Sequence, residues 1–294
     1  MCDELFEEDL KAYHDSRMLN RRQFGAITLG LGVNMLWPGE VTAKALPVTE
    51  SNINIKTPDG RADCYFVHPV IGSHAGVIVW PDIFGLRPAF RKMGKRLAEC
   101  GYSVLVVNPF YRQRHAPVVP ASAGFAEEAA RVIVTPLAEA LTPQRSTVDA
   151  RAFVEFLDDH RSVDRKRKIG TAGYSIGGSV VLRTAAVAPN RVGAGASFYG
   201  GNLVTAQPDS PHLLIPKMKG RFLVAIAEND DQRDPKTAEV LKESFVNASL
   251  PAEIEVYAGA SQGWCSPDSI VYNQVLAERA WNQLLGLFGS ALAR

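Results

Sequence analysis

The chain has 294 residues, enough for one large domain or two small ones. Its hydrophobic content of 46% and charged content of 21% are those of an ordinary globular protein. A net charge of +1 argues against nucleic acid as the principal partner, because a phosphate-binding surface carries a basic excess. Cys2, Cys64, Cys100 and Cys265 form no close pair, so no CxxC metal or redox motif exists.

At the N-terminus, Asn20-Arg21-Arg22-Gln23-Phe24 runs into a mild, glycine-rich apolar stretch, an order that resembles a twin-arginine export signal. Ala43-Lys44-Ala45 places small residues where a signal peptidase reads them. Residues 1–45 are therefore expected to be a leader cleaved after Ala45, with the twin-arginine machinery as partner and the periplasm as destination. The apolar residues 24–37 are too short for a comfortable span, so no stable membrane insertion is expected after processing. Asn20 ahead of the arginines, the absence of a lysine soon after Phe24 and the long acidic lead-in depart from that pattern; a start at Met18 would shorten the leader.

Residues 52–57 alternate polar and apolar, Pro58-Asp59-Gly60 turns, and residues 62–67 return, which predicts an antiparallel hairpin at a sheet edge. Residues 76–80 and 103–107 are unbroken apolar runs, as strands buried on both faces should be. Between them, residues 88–100 have helical spacing, with Phe90, Met93 and Leu97 on one face. An alanine-rich helical excursion over 122–142 is expected to cover part of the site. A helix over 147–160 turns Val148, Phe153, Phe156 and Leu157 inward, and the solvated Arg165-Lys166-Arg167-Lys168 run leads to a strand starting at Ile169. A helix over 177–188, strands over 194–199, 222–227 and 253–257, and helices over 235–247 and 271–288 complete the alternation. This order predicts one α/β domain over residues 51–290, doubly wound on a single, mainly parallel sheet.

Gly173-Tyr174-Ser175-Ile176-Gly177-Gly178 falls between a predicted strand and a predicted helix, the context of the nucleophile elbow in an α/β-hydrolase. Acyl transfer needs a nucleophile, a base, a group that orients the base, and donors for the oxyanion. Ser175 is the nucleophile candidate and the N–H of Ile176 one oxyanion donor; the second should come from the loop Pro81-Asp82-Ile83-Phe84-Gly85. The acid is expected in Glu228-Asn229-Asp230-Asp231, at a strand's carboxyl end, with Asp230 favoured and Asp231 the alternative if the turn is one residue longer.

Trp80-Pro81-Asp82-Ile83-Phe84-Gly85, Asn108-Pro109-Phe110-Tyr111-Arg112, the elbow and the Asp230 turn together resemble the dienelactone hydrolase family. The resemblance spans nearly all of residues 51–290 and implies a single-domain hydrolase of small esters or lactones without metal or organic cofactor. It implies that the Ile83 N–H completes the oxyanion hole and that Arg112 holds a substrate carboxylate, the competing reading being a salt bridge from Arg112 to Asp82. The type member's nucleophile is a cysteine where Ser175 stands, its thiol-tuning glutamate is matched by the shorter Asp82, and its second carboxylate-binding arginine falls on Ser266. Dienelactone itself is therefore not the expected substrate.

The same resemblance implies a histidine after the last strand, where this chain has Gln262. The six histidines are His14, His68, His74, His115, His160 and His212, and none follows Asp230. A glutamine amide can hydrogen-bond a serine but cannot take its proton near neutral pH. Loss of the triad base costs up to about a millionfold in turnover, leaving roughly 10³–10⁴ over water. Weak or lost hydrolysis is expected, with His115 or His212 as substitute bases or, alternatively, a silent site that binds a small acid through Arg112.

Overall fold

The structure, a computed structural model, describes residues 45–120 and 127–293. The twin-arginine-like segment and the first residues of the 122–142 excursion lie outside the described residues. Leu46–Arg294 forms a compact unit of its own.

Strands β1 (Val48–Thr57) and β2 (Gly60–Pro69) form the expected hairpin, in register from Val48↔Pro69 to Thr57↔Gly60. The Thr57 hydroxyl closes the turn by accepting from the Asp59 amide at 3.2 Å. Both strands run further back than expected, because the β1 alternation continues on an edge strand where one face meets solvent. Strands β3 (Ala75–Trp80), β4 (Tyr102–Val107) and β5 (Ile169–Tyr174) are buried at every position, as are β6 (Val192–Phe198) and all of β7 (Arg221–Ala227) after its first residue. With β8 (Ala252–Tyr257) they make an eight-stranded sheet in the order β1-β2-β4-β3-β5-β6-β7-β8. The β1–β2 and β2–β4 pairs are antiparallel, and every pair from β4 to β8 is parallel.

Helices cover both faces. On one, Phe90, Met93 and Leu97 of α1 (Pro88–Glu99) join the core that α7 (Gln274–Ala291) enters through Trp281, Leu284 and Phe288. Helix α2 (Glu128–Ala140) lies between these in chain order and belongs to a smaller cluster described below. On the other face, Phe153 and Leu157 of α3 (Pro143–Asp159) pack with Val180 and Val181 of α4 (Ile176–Val187). The short α5 (Glu228–Arg233) follows β7, and α6 (Lys236–Asn247) adds Leu241 and Phe245 to that second core.

Helix α3 starts four residues before the expected 147: Thr142 caps it by accepting from the Arg145 amide at 3.3 Å, and Pro143 is its first residue. Proline suits that position because its missing N–H would have no intrahelical acceptor there. Val148 and Phe156 are half-buried, and the inward stripe is built on Ala150, Phe153, Val154 and Leu157. Helix α7 likewise starts at Gln274 rather than 271, capped by the Asn273 side chain accepting from the Leu276 amide at 3.2 Å. A 3₁₀ turn over Pro211–Lys217, not anticipated from the sequence, precedes β7.

Candidate active site

The carboxyl ends of the parallel strands converge on one edge of the sheet, and each brings one loop of the site. Strand β5 delivers Ser175 at φ 52° and ψ −117°, a left-handed backbone that a non-glycine residue adopts only under constraint. The constraints are visible. The Ser175 amide donates to the Phe198 carbonyl at 3.1 Å, and the Ser175 carbonyl accepts from Gly178 at 2.9 Å and Gly201 at 3.2 Å. A Cβ on Gly173 would stand 2.1 Å from the Gly177 carbonyl oxygen, and one on Gly177 would stand 2.4 Å from that of Trp80. These two glycines let the elbow close on itself and let α4 begin against the end of β3.

Gln262 lies in the loop after β8, and its Nε2 donates to Ser175 Oγ at 3.1 Å. That loop is stitched to the turn after β7 three times. Glu228 donates its amide to the Ala260 carbonyl at 3.0 Å, Gly259 donates to Glu228 Oε2 at 3.1 Å, and Gln262 donates its amide to Asn229 Oδ1 at 3.0 Å. The Gln262 Oε1 is buried without a hydrogen-bond partner among the described residues. Either amide atom could face the hydroxyl, and neither takes a proton at neutral pH.

Asp230 sits in α5, where its Oδ1 accepts from Arg233 at 3.1 Å. The side chain of this turn that reaches the backbone of Gln262 is Asn229, which sequence reasoning passed over in favour of its acidic neighbours. Ile176 is the first residue of α4, so its N–H has no acceptor within the helix. The Ile83 N–H, in the loop after β3, has no acceptor among the described residues. The expected oxyanion donors are thus two amides left uncommitted by the fold. Val134 and Leu137 of α2 share a small apolar cluster with Phe110, and Ile83, Phe84 and Ile176 pack against it.

Arg112 and Asp82 do not pair with each other. Arg112 binds Asp149 through Nη1 at 2.8 Å and Nη2 at 2.7 Å, and Asp59 through Nε at 2.9 Å and Nη2 at 2.6 Å. Asp149 is fully buried on α3 and also accepts from the Tyr111 hydroxyl at 2.8 Å. A guanidinium doubly engaged by carboxylates has little left for a substrate acid, so the expected role of Arg112 gives way to one of joining the β1–β2 turn to α3. Asp82 instead meets Arg87, with Nη1 at 2.6 Å from Oδ1 and Nη2 at 2.9 Å from Oδ2, both residues 7% exposed. The same guanidinium binds Asp268, Nε to Oδ2 at 2.7 Å and Nη2 to Oδ1 at 3.0 Å. The Ser266 hydroxyl donates to Asp82 at 3.3 Å and lies 3.0 Å from the Tyr199 hydroxyl. One buried arginine therefore bridges the oxyanion loop to the loop of Gln262.

The five described histidines are engaged elsewhere. His115, exposed, faces Asp63 at 3.3 Å; His212 bonds Ser210 at 2.7 Å; His68, His74 and His160 bond Pro69, Ile71 and Ser162. His14 lies outside the described residues. Among the described residues, no cluster of three or more His, Cys, Asp or Glu side chains is placed to hold a metal ion.

Comparison with known proteins bears on the fold and the family. Carboxymethylenebutenolidase of Rhodococcus opacus is 26% identical over 226 residues, covering 74% of this chain and 82% of its own. A solved dienelactone hydrolase from Anabaena variabilis superposes with a TM-score of 0.58 at 16% identity, over 84% of this chain and 99% of its own. A dienelactone hydrolase-like promiscuous phosphotriesterase from metagenomic libraries does so at 0.65 and 19%, with the same coverage. At such identities the structures speak to the fold alone. The family model described as "Dienelactone hydrolase family" matches residues 62–292, most of the chain, and the protein belongs to that family.

Proposed function

We propose that this protein is a serine hydrolase of small esters or lactones whose turnover is held low by Gln262 in the place of the general base. The observation that carries the reading is the 3.1 Å bond from Gln262 Nε2 to Ser175 Oγ. A nucleophile on a constrained elbow faces an amide where the chemistry requires a proton acceptor. The substrate carbonyl oxygen would lie between the amides of Ile83 and Ile176, which stabilise negative charge as Ser175 Oγ bonds to the carbonyl carbon. The serine proton must then pass to solvent, and the leaving alkoxide must take one from solvent. Water attack on the acyl-serine lacks a base in the same way, so both half-reactions are slow. Asp230 takes the acid's position in this reading, supported by its place in the turn that follows β7.

Replacing Gln262 by His is expected to raise turnover of a p-nitrophenyl ester at least about a hundredfold. Labelling by a fluorophosphonate should rise in parallel and disappear in Ser175→Ala. No gain in a folded variant would favour the second reading, a pocket that binds without turning over. The commitment of Arg112 to Asp149 and Asp59 removes the anchor that reading relied on for an acidic ligand.

Export to the periplasm as a twin-arginine substrate cleaved after Ala45 rests on Arg21-Arg22 and Ala43-Lys44-Ala45 in the sequence. N-terminal sequencing of the exported form should read Leu46 first, and changing Arg21 and Arg22 to lysine should retain the uncut chain. Export unaffected by that change would exclude the twin-arginine route. Among the described residues no helix is long and apolar enough to cross a membrane.

A further inference from the structure

A cavity of about 110 Å³ lies between α1, α7 and the loop after β8, away from Ser175 and Gln262, neither of which lines it. Met93, Tyr174, Phe198, Cys265, Ala280 and Trp281 form its wall, and Lys92, Arg96 and Glu278 bring charge to it. Tyr174 is 3% exposed, yet its hydroxyl has no hydrogen-bond partner among the described residues. Tyr174 lines this cavity, and so do Cys265 and Arg96, whose electrostatic influence reaches its hydroxyl. Nearly all buried hydroxyls are hydrogen-bonded, so an orphaned one facing a cavity marks the place of a missing acceptor.

The chemistry of that acceptor follows from the surroundings. Burial holds the Tyr174 proton in place well beyond the ordinary phenol range, with Cys265 acting in the same sense and Arg96 opposing, so the hydroxyl is a donor. Burial likewise keeps the Cys265 thiol neutral. The Arg96 guanidinium lies 4.3 Å from the Trp281 ring centroid and is neutralised by Glu278 through both carboxylate oxygens. Lys92, exposed at the rim, has no carboxylate partner among the described residues, which leaves it as the unpaired charge of the lining. A cavity of about 150 Å³ holds benzene, and this one is somewhat smaller.

We propose that the cavity binds a compact aliphatic monocarboxylate. Its carboxylate accepts from Tyr174 Oη within the field of Lys92, and its branched alkyl body lies against Met93, Phe198 and Trp281. The site is independent of the hydrolase reading, although an occupant would touch both the residue before Ser175 and, through Cys265 and Pro267, the loop of Gln262.

The test uses isobutyrate as probe, followed at the Trp281 indole N–H by NMR on the full chain. Saturable binding is expected with a dissociation constant near about 1 mM. Isobutyramide, of the same shape without the charge, should bind at least about tenfold more weakly. Tyr174→Phe, which deletes a single oxygen, should weaken isobutyrate about fivefold, and Lys92→Ala by a similar factor. The proposal is overturned by no saturation up to about 50 mM, by equal affinity for acid and amide, or by affinity unchanged in both variants. A crystal soaked in isobutyrate that shows only ordered water on Tyr174 Oη would overturn it as well.

Discussion

At Ser175 the backbone adopts a conformation that costs of order 1–3 kcal/mol, and the neighbouring residues are what keep it there. Gly177 is the most exacting of them. The atoms a Cβ would meet are the carbonyl oxygens of Trp80 at 2.4 Å and Pro81 at 2.8 Å, both backbone, so no side chain can rotate away. Gly177→Ala must push α4 off the end of β3, and is expected to lower stability by about 3 kcal/mol in urea titration. A loss under about 1 kcal/mol would mean that the elbow is looser than its contacts imply. This residue was legible from the sequence because its constraint is local: the glycines stand two positions either side of the serine, between a strand and a helix. Gln262 stood out in the sequence for the opposite reason, as a departure from a resemblance. Asn229 was not, because an asparagine whose task is to hold a backbone amide 33 residues away leaves no pattern in the chain.

Between elements, the decisive connection is the Asp82–Arg87–Asp268 brace. Strands β3 and β8 are separated in the sheet by β5, β6 and β7, yet their loops meet across one buried guanidinium. Arg87 stands directly before α1 and stacks against Phe84 at 5.4 Å and Phe90 at 4.9 Å, so its head group is held in plane as well as hydrogen-bonded. Removing it would strand the Asp82 carboxylate at 7% exposure, and breaking a buried pair in this way costs about 3–5 kcal/mol. Arg87→Met is expected to lose about that much stability. It should also speed amide exchange at residues 83–85 and 262–268 at least about tenfold, by opening that segment more often. Arg87→Lys should recover only part of the effect, since an ammonium cannot bridge two carboxylates through a planar fork. Unchanged exchange in both segments would show the brace to be incidental. The brace joins residues 181 apart, and nothing in local periodicity announces such a pair. The same distance blindness left Arg112 between a substrate carboxylate and Asp82, when its buried partner lay on α3. What periodicity does capture is the order of elements; it misplaces their starts where a cap decides, as at Thr142-Pro143 and Asn273.

For the molecule as a whole, the sheet separates two apolar cores, and the edge of the second packs an imidazole among aromatic rings. His160, at the end of α3, has ring centroids of Phe66 at 4.6 Å, His68 at 5.5 Å and Phe156 at 5.6 Å around it. Its Nδ1 lies 3.2 Å from the donating amide of Ser162, whose carbonyl in turn accepts from Ser103 on β4 at 2.7 Å and from the His74 amide at 2.8 Å. A proton on the ring is therefore opposed by burial first, then by His68 and Arg161, and the folded-state pKa lies below the ordinary 6.5. Because the unfolded chain takes the proton at a higher pH than the native one does, this contribution is complete above about 6.5 and is lost as pH falls through the lower native value. Carboxylates titrate mostly below this window, so a decline between about pH 7 and pH 5.5 isolates the imidazole. Urea unfolding across that range should show stability falling with acidification in the parent protein. In His160→Asn, whose side-chain oxygen can still accept from the Ser162 amide, the slope should flatten. An equal slope in both proteins would place the proton-linked packing elsewhere and leave the junction of α3 with β2 and β4 indifferent to charge.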